Sequence, residues 1–384
     1  NSTFIENGNY GVGGNYDGSR NRYVTDITVT NLEVHNNSGG GINLPCDGVV
    51  WIHNLTITNN GGDGLAVLQG AADNVTISDV LTSNNEGMGV RIYVYSNIYI
   101  QHVISIGNVG NGVSVRGRTI ILENIVTENN GENGVHVRGY SNNILIENIT
   151  VRLNNESGIF LDAYYGNIVN VTIQNVTIAN NSEYAISGSY CNRLYYVKNV
   201  IIVKDIRLVG NGAGIRIPAD LTVIIGNFDI IGMGGPAIEI IGGRADEVTI
   251  ENMTISNNSG SGIFVDAYQN IKIRNVSIVN NYGDGLSIRG RLIIVNNVYI
   301  EDNNGIGLKI SGYSNNIVVT NVLIADNDNA GIYLDAFSSD IVNVTITNAT
   351  ITGNADYAIT GNWRAAGGYY ITDIVIMNNV TIEN

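Results

Sequence analysis

The sequence predicts an all-β protein, a single-stranded parallel β-helix of about fifteen coils with three short strands per coil, and three observations carry that prediction. A phrase of the form I-x-I-x-N-V-x-I-x-N-N-x-G-x-G-[IL]-x-[IL] recurs about every 22 to 27 residues from end to end. Within each phrase, short runs alternate apolar and polar residues with the period of a strand. Glycine is abundant (47) and proline nearly absent (3), and the aliphatic residues are largely β-branched, which suits tight corners between strands and gives helices little support.

Typical phrases start at Ile144 (ILIENITVRLNNESGIFL), Val248 (VTIENMTISNNSGSGIFV) and Ile271 (IKIRNVSIVNNYGDGLSI). Alternation sends one residue of each pair inward, so every coil adds aliphatic side chains to a central stack while its strands bond to the coils above and below. Carrying the alternation through Ile144, Ile146 and on to Ile149 puts Asn148 at a bend in inward phase. Equivalent positions are Asn31, Asn54, Asn124, Asn175, Asn252, Asn275, Asn297, Asn321 and Asn348, with Asp79 and His102 filling two gaps. Asparagine tolerates left-handed backbone and its amide can bond to the amide one coil away, so this column is expected to be an internal structural ladder.

A longer period overlies the short one. Gly112 and Gly285 differ by 285 − 112 = 173, and the same offset links Tyr140 with Tyr313, Asp162 with Asp335 and Tyr184 with Tyr357. The chain therefore reads as one solenoid, 1–384, made of a partial coil (1–23), a first block (24–196), a second block (197–369) and the start of a further block (370–384).

These repeats and N-x-G-x-G corners resemble the right-handed parallel β-helix proteins of the pectate-lyase-like superfamily, over nearly the whole chain. The resemblance implies a right-handed coil and a range of functions from polysaccharide-degrading enzymes to adhesins, tailspikes and surface-layer proteins; it implies the fold and no single reaction. The strings Asn-Thr-Asp, Asp-Asp, Gly-His-Gly and Arg-Ile-Lys, by which polygalacturonase-like hydrolases are known, do not occur. Hydrolysis needs two carboxyl groups about 5 to 9.5 Å apart. Arg116 and Arg138 occupy equivalent places in successive coils, followed by Asp162, and Asp266 is followed by Arg289; such arrays read as ladders of surface ion pairs. The chain is expected not to be an enzyme, with no catalytic residue assigned.

The net charge of −15 repels a phosphate backbone, so nucleic acid is not an expected partner. No apolar run is long enough to span a membrane as a helix. Cys46 and Cys191 read as unpaired thiols or as one intermolecular disulfide. His35, His53, His102 and His136 show no paired metal spacing, and no metal or cofactor is expected beyond a weak calcium signal in the Gly-Asp-Gly corners at 61–64 and 282–285.

One motif stands apart. SGIFLDAY (157–164) returns as SGIFVDAY (261–268) and AGIYLDAF (330–337). With Ile159 and Leu161 inside, Phe160, Asp162 and Tyr164 face outward, as do Phe264, Asp266 and Tyr268, and Tyr333, Asp335 and Phe337. Rings flanking a carboxylate suit stacking on sugars or anchoring a protein neighbour. Sequons at Asn36, Asn74, Asn155, Asn170, Asn180, Asn257 and Asn343 lie in outward phase and are the expected glycosylation sites, whereas those in the inward column, such as Asn148, Asn175 and Asn275, are discounted. The chain starts without Met or a leader, as a secreted protein does after processing. Its two ends read as open coils of like kind, which invites head-to-tail stacking. The expected function is an extracellular, glycosylated structural protein that polymerises into a filament or sheath; a glycan-binding adhesin and a polysaccharide lyase or hydrolase are the alternatives.

Overall fold

The computed structural model describes residues 2–14, 24–68, 72–191, 194–363 and 368–383. It is an all-β right-handed parallel solenoid of about 14 turns, with no helix among the described residues. Residues 15–23 of the expected first partial coil lie outside them. The chain forms two compact units, Asn1–Val197 and Lys198–Asn384, divided next to the start of the second 173-residue block.

A coil of the first unit shows how sequence becomes structure. The short strand Val113–Arg116 precedes the long strand Thr119–Glu128, and the chain then turns a corner into the next short strand, Val135–Arg138. Pairing is parallel and in register, with Val113 beside Val135 and Ile120 beside Ile98 and Ile144. Two of the three strands expected per coil are thus one strand, bent at Asn124. That residue has φ +53°, and the ladder passes over it, resuming at Ile125 beside Val103. One left-handed residue turns the chain without breaking the strand, a conformation asparagine adopts at low cost. The second unit repeats the arrangement in Leu286–Arg289 and Leu292–Glu301, bent at Asn297 with φ +55°.

These bends correct the expected ladder. Asn31, Asn54, Asn148, Asn252, Asn275, Asn297, Asn321 and Asn348 are exposed, and Asn124 and Asn175 are half-buried. They do form ladders, such as Asn275 Nδ2 to Asn252 Oδ1 at 2.9 Å and Asn297 to Asn275 at 2.8 Å, but outside. A left-handed residue takes a place in the chain without taking an inside or outside place in the pleat, so the alternation restarts after it. Inward positions therefore run Ile120, Leu122, then Ile125, Thr127, then Asn130. The buried ladder is the asparagine that directly follows the last left-handed residue of a coil: Asn37, Asn60, Asn85, Asn108, Asn130, Asn154 and Asn181 in the first unit, and Asn258, Asn281, Asn303, Asn327 and Asn354 in the second. In each step both the backbone N–H and the side-chain amide donate to the Oδ1 one coil on; for Asn85 to Asn108 the distances are 3.1 and 2.9 Å. This satisfies amides that would otherwise be orphaned in the core.

Beside the ladder, the stack of Ile98, Ile120, Ile144 and Val171 is almost fully buried, as are its counterparts in the second unit. Each such side chain contributes roughly 1.5–3 kcal/mol. Asp63 Oδ1 accepts the Met88 N–H at 2.9 Å and Asp284 Oδ1 accepts the Ile306 N–H at 2.9 Å, so both Gly-Asp-Gly carboxylates brace the next coil. Cys46 is buried and Cys191 half-buried, both as free thiols. Burial pushes the Cys46 thiol above its ordinary pKa.

Candidate functional site

The short strands of the first unit present two outward columns. One runs Arg91, Ser114, His136, Phe160, Ser187, and the next runs Tyr93, Arg116, Arg138, Asp162, Ser189. Tyr93 lies beneath the others, 8% exposed, its hydroxyl 2.8 Å from Ser114 Oγ. Three guanidinium groups surround its ring, with Cζ to centroid distances of 4.9 Å for Arg91, 5.0 Å for Arg138 and 5.8 Å for Arg116. Arg116 also lies over Tyr95 at 5.2 Å and Arg138 over Tyr165 at 5.7 Å. Arg91 is paired with Asp63 at 3.2 Å, whereas Arg116 and Arg138 have no ion pair among the described residues. The expected ladder of ion pairs through Arg116, Arg138 and Asp162 is therefore not formed: the arginines stack on tyrosine, and Asp162 is engaged elsewhere.

Asp162 Oδ1 accepts the Ser189 hydroxyl at 2.7 Å and the Tyr164 N–H at 3.1 Å, and its Oδ2 lies 3.4 Å from His136 Nε2. That last separation is an ion-pair contact rather than a well-formed hydrogen bond, and neither buried ring nitrogen of His136 has a hydrogen-bond partner. The imidazole also packs on Phe160, centroids 5.3 Å apart. Burial acts to raise the Asp162 pKa, but His136, the Ser189 hydroxyl and the Tyr164 amide outweigh it and hold the carboxyl at about 2. A carboxylate with a depressed folded-state pKa stabilises the fold above its unfolded value near 4, and this contribution fades as pH falls through the folded value near 2. Its size is about 2 kcal/mol. Asp162→Asn is expected to lower stability by that amount at pH 7, with the gap to the native protein closing between about pH 4 and pH 2. Urea unfolding across that pH series checks it; a gap that does not change with pH overturns the electrostatic account.

Glu156 borders the same face. Burial raises its pKa, reinforced by the charges of Glu132 and Glu183, while the Asn133 amide donates to it at 2.5 Å and opposes the rise. Exposed rings border these groups: Tyr95 against Arg116, Tyr165 against Arg138, Tyr164 edge-on to Tyr165, and Tyr140 just past the end of the strand Val135–Arg138.

In the second unit, Asp266 pairs bidentately with Arg289 at 2.7 and 2.6 Å, as the sequence led us to expect. Lys309 lies 3.6 Å from Asp335 and 6.0 Å from the Tyr333 ring centroid. Tyr268 and Tyr313 flank a cleft of about 310 Å³ whose lining includes Asp266, Arg289 and Arg291. The recurring aromatic-Asp motif is explained in part by the corner itself: Asp335 Oδ1 accepts the Phe337 N–H at 3.2 Å, as Asp162 does that of Tyr164. In two of its three copies the carboxylate thus braces the turn that presents the second ring. Phe160 and Tyr333 are half-buried, and Tyr164, Phe264, Tyr268 and Phe337 are exposed.

The structure brings Phe160 and Asp162 together with four residues the sequence reading left out of the site: Tyr93, Tyr95, Arg91 and His136. The signal for Tyr93 and Arg91 was the 173-residue comparison, since 266 − 93 = 173 sets Tyr93 against Asp266, and 264 − 91 = 173 sets Arg91 against Phe264. The sequon residues Asn36, Asn74, Asn155, Asn170, Asn180, Asn257 and Asn343 are all exposed. Asn148 and Asn275 are exposed too, and Asn175 half so, which removes the reason for discounting them.

A profile described as a right-handed β-helix region matches residues 1–136, 71–219 and 213–380. No curated protein matches the sequence. Among solved structures, the A-module of the Azotobacter vinelandii mannuronan C-5 epimerase AlgE6 is similar over 91% of both chains, with 13% identity and a TM-score of 0.40. A chain of the Vag8–C1 inhibitor complex is similar over 100% of this chain and 99% of its own, with 10% identity and a TM-score of 0.46. No helix among the described residues is long and apolar enough to cross a membrane. On the profile match, which extends over almost all of its length, the chain belongs to the right-handed β-helix family.

Proposed function

We propose that the protein is an extracellular β-helix that binds polysaccharide along the short-strand face of its first unit, without turning it over. The observation that carries this reading is the set of exposed rings, Tyr95, Tyr140, Tyr164 and Tyr165, beside a face rich in arginine, histidine and carboxylate. Flat rings stack on sugar faces, and the neighbouring polar groups bond to hydroxyls. The exposed sequons support a secreted, glycosylated chain. Calorimetric titration with a panel of soluble polysaccharides tests the reading. Tyr95→Ala combined with Tyr140→Ala is expected to weaken binding about 10-fold, two stacking contacts of roughly 0.5–1.5 kcal/mol each. Release of shortened or unsaturated product during the titration replaces binding with enzymatic turnover.

Self-stacking is a second reading, favoured by the strand Ile371–Glu383. Ile374, Ile376 and Ile382 there are about half exposed, while Val344, Ile346 and Ile351, their partners one coil before, are fully buried. A following coil or a second copy would cover them. Electron microscopy over a range of concentrations distinguishes growing rods from discrete particles, and discrete particles throughout exclude this reading.

A further inference from the structure

We infer that the short-strand face of the first unit selects an acidic polysaccharide, through Arg116 and Arg138 gathered on Tyr93, and that the matching face of the second unit does not. The inference rests on the glycan-binding reading and specifies the class of glycan.

The two units are a controlled comparison on one scaffold. In the second, every cation on the short-strand face has an acid one coil away: Arg216 with Glu239, Arg289 with Asp266, Lys309 with Asp335. In the first, Tyr93 stands where the second has Asp266, and Arg138 is an added cation where the second has Ser311. Three guanidinium groups then crowd within 6 Å of one buried ring with a single carboxylate, Asp63, paired to one of them. Of the other acids, Asp162 is held by His136, Ser189 and Tyr164, and Glu156, with Glu132 and Glu183 near it, borders the face on the side of His136. Arg116 Nε and Arg91 Nε are buried without hydrogen-bond partners. Like charges at this spacing repel, and buried N–H groups lacking acceptors cost free energy. An anion laid across the face offsets the repulsion.

In a chain of net charge −15 this is a local exception. Arg116 and Arg138 sit in adjacent coils, about 4.8 Å apart along the stack. Such a pair suits a polymer with repeated charge better than a lone anion, and the exposed tyrosines suit sugar rings. Carboxylate and sulfate groups share the required geometry, since both accept paired guanidinium hydrogen bonds.

Titration of the full chain with polyuronate, sulfated polysaccharide, neutral glucan and poly-glutamate tests the inference. One site per chain is expected, filled by polyuronate or sulfated polymer, weakened by salt and bound far less by the other two. The polymer that binds tighter identifies the anion. Arg116→Gln and Arg138→Gln should each weaken binding about 10- to 100-fold. Tyr93→Asp, which copies the second unit's acid into the first, should abolish it, and Arg289→Gln should leave it unchanged. Unaltered circular dichroism and melting temperature certify each variant as folded; Arg138→Ser, the residue the second unit already uses, serves if Tyr93→Asp does not fold. Equal binding of neutral and acidic glycans overturns this inference and leaves glycan binding standing, whereas no glycan binding at all overturns both. Equal binding of poly-glutamate overturns the polysaccharide assignment, and loss of binding in Arg289→Gln places the site on the wrong unit.

Discussion

Asn130→Ala is expected to cost about 3 kcal/mol, one of the two largest single losses available outside the aliphatic stack. Asn130 Oδ1 receives both the backbone N–H of Asn108 at 3.1 Å and its side-chain amide at 3.1 Å, and its own amide reaches Asn154 Oδ1 at 2.9 Å and the Ser105 carbonyl at 3.0 Å. Removing it strands the Asn108 N–H, the Ser105 carbonyl and part of the Asn154 acceptor capacity in a dry interior. Each stranded group costs roughly 1–3 kcal/mol. Urea unfolding of the variant measures the loss. A cost below about 1 kcal/mol means that water enters the coil and replaces the ladder.

Gly112→Val is expected to be more damaging still, above about 4 kcal/mol and sufficient to prevent soluble expression. A Cβ at Gly112 meets the Gly134 carbonyl oxygen at 2.7 Å, Asn130 Nδ2 at 2.9 Å and the Thr127 Cβ at 3.0 Å. The first of these is backbone and the second is a fixed rung of the ladder, so neither can yield cheaply. Gly8, with nothing within 4 Å of its would-be Cβ, is the matched control, and Gly8→Ala should leave the melting temperature almost unchanged. Equal tolerance at both positions refutes the idea that the second glycine of N-x-G-x-G is dictated by the approach of neighbouring coils.

Much of the architecture is legible in the sequence because a solenoid repeats its own constraints. Ile144 and Ile146 announce an inward strand face, and a dozen similar phrases repeat the announcement until chance is an untenable explanation. What the alternation does not reveal is the phase beyond a left-handed bend. Asn148 and Asn154 look alike as letters, yet one turns the chain on the surface and the other is buried in the ladder. The candidate site was legible by half. Asp162 and Phe160 declared themselves through a recurring motif. Tyr93 did not, because what matters about it is the company of Arg91, Arg116 and Arg138, which lie on three different coils and come together only through the register.

That register has an evolutionary corollary. An outward residue on a short strand meets other outward residues of its own and nearby coils, while the scaffold underneath is held by the buried columns. Exchanging an outward letter, together with the neighbours it meets, therefore rewrites the character of a surface strip on the same coil, as Tyr93 and Asp266 illustrate on two copies of one block. Such a chain can duplicate a block, keep one copy as ballast and let the other drift toward a new ligand a single codon at a time, because the grammar that builds the coil and the vocabulary that meets the outside occupy different columns.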